Sequence, residues 1–123
     1  MITHVVLFRP RTDLDGSDRR DLAETFLKTL QQIRSITSAR IGNRVTHGRP
    51  YEQLMQENYT HAAILEFDDL EGLKSYLEHP AHEKLAARFF ASCQQALMYD
   101  FDMDQGQHAL EALAQDEASD RSR

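Results

Sequence analysis

The sequence predicts an α+β sandwich of the ferredoxin-like kind, from three observations. Four short runs rich in β-branched and aromatic residues alternate with runs of helical spacing, in the order β-α-β-β-α-β. The second helical region carries a proline, Pro80, where one helix would end and another begin. The length, 123 residues, suits one domain.

The first strand is "ITHVVLFR", which puts Ile2, His4, Val6 and Phe8 on one face and Thr3, Val5 and Leu7 on the other. Pro10 stops its ladder. "SDRRDLAETFLKTLQQI" is a helix, with Ser17 as N-cap and Asp18 in the first turn. Its apolar stripe is Leu22, Phe26, Leu27, Leu30 and Ile33. "TSARIGNRVT" is the second strand, with a bulge expected at Gly42. The loop "HGRPYEQLMQEN" allows a helical turn after Pro50. "YTHAAILEF" is the third strand.

"DDLEGLKSYLEH" follows as a helix, with Asp68 as cap and Glu71 closing a capping box. Leu70, Leu73 and Leu77 are expected to face the core. "AHEKLAARFFASCQQ" continues after Pro80 and aligns Leu85, Phe89 and Cys93 at four-residue spacing. "ALMYDFDM" is the fourth strand. The tail from residue 105 to 123 holds a short amphipathic helix, "HALEALA", and then a polar end expected to fray. It is expected to add little to the domain, which spans residues 1–104.

A sheet covered on one side should be polar on the other, and these strands are too apolar for that. The open face is expected to pack against a second copy of the chain. With a formal charge of −6, nucleic acid and anionic membranes are disfavoured as partners. Cys93 is the only cysteine, so neither an intrachain disulfide nor a cysteine zinc site is expected. No run reaches membrane-span length and no signal peptide is recognisable, which makes a cytoplasmic location the default expectation.

The chemistry concentrates in "YLEHPAHEKL", where Tyr76, His79 and His82 surround Pro80. A neutral imidazole takes up a proton near pH 7, and a phenol can donate to a developing enolate oxygen. The competing reading is punctuation: His79 and His82 end one helix and start another, bonding free backbone groups. His4 and His61 lie in apolar strands, where a lone histidine is ordinarily a satisfied core residue. On neighbouring strands, the two could instead make a polar spot beneath the helices. Three-residue spacing of His79 and His82 does not complete a metal site, and no metal is expected. Cys93 is expected to pack as a small apolar residue, and Phe89 and Phe90 to form core and pocket wall.

"THVVLFR", "ARIGNRV", "YTHAAILEF", "YLEHPAH" and "MYDF" together resemble the stress-responsive dimeric α/β-barrel domain family, from Ile2 to about Asp102. The resemblance implies a homodimer whose two sheets close into one barrel. It also implies the pocket of a cofactor-free polyketide cyclase in that family. The matching positions here are His4, His61, Tyr76 and His82, with Tyr76 and His82 as the catalytic pair. Phe26 stands where that cyclase has a pocket aromatic, here without a hydroxyl. The function expected is a homodimer with a small-molecule pocket, lined by these residues with His79 and Phe89. Without any cofactor, it would perform acid/base chemistry of the cyclase or lyase type on a carbonyl or aromatic compound. The alternative is a non-catalytic, stress-associated dimer whose histidines satisfy buried polar groups.

Overall fold

A computed structural model describes residues 1–115. The order of the main elements is the predicted one: β1 (Ile2–Pro10), α1 (Gly16–Gln32), β2 (Ser38–Asn43), the turn-length α2 (Tyr51–Leu54), β3 (His61–Phe67), α3 (Leu70–Glu78), α4 (Pro80–Ser92), β4 (Cys93–Asp102) and α5 (Gln107–Gln115). The four strands form one antiparallel sheet in the order β2-β3-β1-β4. This is the ferredoxin-like α+β sandwich.

The core lies between the sheet and α1, α3 and α4. Val6 and Phe8 of β1 and Ala63, Leu65 and Phe67 of β3 meet Leu22, Phe26, Leu73, Leu85 and Phe89 from the helices. Burying each large side chain contributes about 1.5–3 kcal/mol. Where α1 crosses α4, Thr29 is fully buried, its hydroxyl donating to the Thr25 carbonyl at 2.8 Å with the Ala81 carbonyl at 3.3 Å. The polar atom is satisfied, so its burial costs little.

Several local expectations are corrected. Asp15, not Ser17, caps α1, its carboxylate accepting from the Asp18 amide at 2.8 Å. Asp69, not Asp68, caps α3 through the Gly72 amide at 2.9 Å. That shift by one residue takes Glu71 out of capping-box register, and it lies 3.6 Å from Lys74 instead. Gly42 makes no bulge, because the β2–β3 register is unbroken; the irregularity falls at Arg9/Pro10 against β4, where proline has no amide to donate. Leu27, Leu70 and Leu77 are exposed, at the margins of stripes whose centres are Phe26, Leu73 and Tyr76. Cys93 has left the helix: α4 ends at Ser92 and Cys93 opens β4, half-buried against the core.

The sheet face away from the helices carries Val5, Leu7, Ala62, Ile64, Leu97, Tyr99 and Phe101. Tyr99 and Phe101 are about half exposed, at 57% and 49%. The turn-length α2 borders one end of this face, where Tyr51 and Leu54 line a cavity with Leu7, Ala62 and Leu97. On the same face, paired Arg9 and Gln95 each hold a buried polar side-chain atom without a described partner. The expected tail helix is α5, and the polar end from residue 116 lies outside the described residues.

Candidate functional site

The site begins at the break between α3 and α4. His79 ends one helix and caps the next, with extended backbone and its Nδ1 accepting from the Ala81 amide at 3.0 Å. Pro80 takes the first position of α4, where a missing amide hydrogen costs nothing. The redirected chain brings Tyr76, in the last turn of α3, against His82, in the first turn of α4. Their rings meet edge to face with centroids 4.6 Å apart.

Tyr76 is 3% exposed and also packs on Phe67 and on His4, whose ring centroid is 5.7 Å away. His4 rises from β1 and is itself buried. Directly across the β1–β4 pair stands Asp100, whose Oδ1 lies 2.6 Å from His4 Nδ1. A carboxylate only accepts, so His4 donates through Nδ1, and Nε2 is left outside that bond. The row is thus Asp100–His4–Tyr76–His82, running from the edge strand to the helix break.

His4, Tyr76 and His82 line one cavity of about 120 Å³, with Phe26 and Phe89 in its walls. Burial, with the nearby charge of Asp100 adding to it, pushes the Tyr76 phenol up to about 12, so it remains a donor at neutral pH. Burial, with His4 adding to it, lowers His82 below the ordinary histidine value and keeps it an unprotonated acceptor there. Donor and acceptor therefore stand side by side in complementary states.

The other two candidate histidines, His61 and His79, lie elsewhere. His61 is separated from this cavity by the packed rings of Phe8 and Phe26. It stacks on Phe8 at 5.2 Å and lines an apolar cavity of about 360 Å³ under α1, which Phe26 also borders. His79 opens on a groove between α1 and α4. Asp100 was missed in the sequence. The available signal was an acidic residue inside an apolar terminal strand, in phase with the helix-facing Met98. Burial raises the Cys93 thiol to about 11, which leaves it unreactive. Among the described residues, no group of three or more His, Cys, Asp or Glu could hold a metal ion. No described helix is long and apolar enough to cross a membrane.

Comparison with known proteins gives a consistent picture. The sequence matches the stress responsive A/B barrel domain over residues 2–103. It is 19% identical over 100 residues to olivetolic acid cyclase of Cannabis sativa, covering 81% of this chain and 94% of the cyclase. In structure it is similar to a hydroxynitrile lyase of Passiflora edulis, with TM-score 0.72 at 14% identity, covering 85% of this chain and 94% of that one. It is also similar to a dimeric ferredoxin-like protein of unknown function from Thermobifida fusca, with TM-score 0.65 at 20% identity, covering 83% and 90% of the two chains.

Proposed function

This chain belongs to the stress responsive A/B barrel domain family, and from that premise we propose a homodimer that performs cofactor-free acid/base chemistry on a small carbonyl compound. The observation that carries the reading is the shared cavity of His4, Tyr76 and His82, with a neutral base beside a protonated phenol. His82 takes a proton from the carbon next to a carbonyl and becomes imidazolium. Tyr76 donates a hydrogen bond to the enolate oxygen that forms. If the enolate carbon then attacks a second carbonyl, the imidazolium returns its proton to the new alkoxide, and the cycle closes without an oxidant or a metal. His4, held by Asp100, would orient a carbonyl or a water through Nε2. A relative named as a cyclase and a fold neighbour named as a lyase are in keeping with carbon–carbon bond chemistry here.

The dimer rests on the exposed apolar sheet face and on a similar fold described as dimeric. Covering Tyr99 and Phe101 with a second copy would remove from water the surface that a soluble monomer rarely leaves open.

Binding tests the site. Acetylacetone, a compact dicarbonyl, is titrated into the protein while the histidine ring nitrogens are followed by NMR. Shifts at His4 and His82, with His79 and His47 unmoved, support the reading. Saturable binding that moves neither His4 nor His82 removes it.

A further inference from the structure

Three side chains at the mouth of the His4–Tyr76–His82 cavity are unusually exposed for its walls: Leu77 at 40%, Phe90 at 63% and Met98 at 38%. They come from α3, α4 and β4, so the mouth has an apolar rim on three sides. Elsewhere the chain carries a second exposed apolar surface. In α5, Ala109, Leu110, Ala112, Leu113 and Ala114 occupy one arc, and Gln107, His108, Glu111 and Gln115 the other. Gln107 bonds to Glu111 along that polar arc. Nothing in α5 is buried, and Leu110 and Leu113 stand 64% and 68% exposed. A short helix with one apolar face is not stable by itself in water, so this face needs a surface to bury against.

We propose that α5 docks its Leu110/Leu113 face on the Leu77–Phe90–Met98 rim and closes the cavity of its own chain. Connection and reach both favour this occupant. α5 follows β4 after four residues, and β4 is the edge strand that supplies Met98. Nine helical residues span about 14 Å at ~1.5 Å each. From Asp102 back to Met98 the strand covers about the same distance, at ~3.4 Å per residue. A helix folded back beside the edge strand would therefore end level with the rim. The join contains one conformationally permissive residue. Gly106 has φ +105°, open to glycine but not to other residues, and the Asp104 carboxylate accepts from the Gly106 and Ala109 amides. Asp104 thus holds the helix start as it stands, and folding α5 back takes a backbone change at Gly106 that gives up the bond to the Ala109 amide. α5 lies beyond the residues that match the family, 2–103, so the closure would be a property of this chain added to the common domain.

The absence of tryptophan from the sequence makes the test clean. Phe90→Trp in the full chain places a single emitter on the rim. Acrylamide quenching is compared with the same protein carrying Leu110→Ser and Leu113→Ser, at melting temperatures that show both are folded. Docking predicts a quenching constant at least twofold higher in the serine variant. Equal constants overturn the proposal. Met98→Trp gives the same comparison from the strand side should the first substitution disturb folding. Mixing the serine variant with excess unlabelled wild-type chain checks which copy supplies the helix. Unchanged quenching supports closure within one chain, and restored protection assigns the helix to the partner and overturns it. No ligand or turnover is involved, so the result is independent of the catalytic reading.

Discussion

Replacing Asp100 with Asn tests whether the carboxylate holds His4. The pair is short, at 2.6 Å, with His4 buried and the Asp100 side chain 42% exposed. A hydrogen bond to a charged group is worth about 1.5–3 kcal/mol when well buried. Water on the Asp100 side screens it, which lowers the expectation to about 1–2 kcal/mol. Asparagine keeps an oxygen acceptor and the shape but not the charge, so Asp100→Asn is expected to cost about 1 kcal/mol. Asp100→Ala leaves a buried ring N–H without its acceptor and should cost about 2 kcal/mol, within the range for an unpaired group. Urea denaturation gives both values, and two-bond proton–nitrogen NMR reports whether His4 Nδ1 still carries its hydrogen. If both variants unfold within ~0.3 kcal/mol of wild type and the His4 ring signals do not move, the carboxylate does not position this histidine.

Other predictions follow from the same geometry. The Tyr76 phenol is raised from 10.0 to about 12, so its contribution to stability is present below pH 10 and is lost as the pH rises towards 12. The loss is on the order of 2–3 kcal/mol. It should be missing in alkaline denaturation of Tyr76→Phe, whose ring still packs on Phe67 and His82. His82 is lowered, so the unfolded chain binds its proton more readily, and stability should fall as pH drops through the ordinary histidine range near 6.5. His82→Gln, compared by urea midpoint at pH 7.5 and 5.5, should flatten that fall. Light scattering should give about twice the 14.2 kDa chain mass. Tyr99→Glu with Phe101→Glu should shift it towards one chain; a wild-type monomer at micromolar concentration would remove the case for a covered sheet face.

The fold was legible because its signals are periodic. "ITHVVLF" and "HAAILEF" could hardly sit anywhere but in a sheet, and Pro80 could only begin or end a helix. Caps were less legible, since Asp15 competed with Ser17 and Asp69 with Asp68, and a shift of one residue decides which side chain reaches a free amide. Buried and exposed leucines were also confused. Leu77 and Tyr76 are neighbours at the edge of one helical stripe, and it is Tyr76 that is buried. At the site, local spacing around the proline brings Tyr76 and His82 together, and this could be read. The partition that sets His61 apart depends on how the Phe8 and Phe26 rings meet across 18 residues of sequence, and the Asp100–His4 bond spans 96. Strand register creates such contacts, and a single sequence does not announce register between its first and last strands.

The most direct test of the acid/base site is exchange of the α-protons of acetylacetone in deuterium oxide, followed by NMR with wild type, His82→Ala and Tyr76→Phe at neutral pH. A positioned base contributes ~10²–10⁴-fold and a positioned donor to the enolate oxygen ~10²–10³-fold. The account predicts exchange above the buffer rate for wild type and a fall of at least about a hundredfold in its enzymatic part for each variant. Exchange no faster than buffer, or equal rates for wild type and His82→Ala, would contradict it.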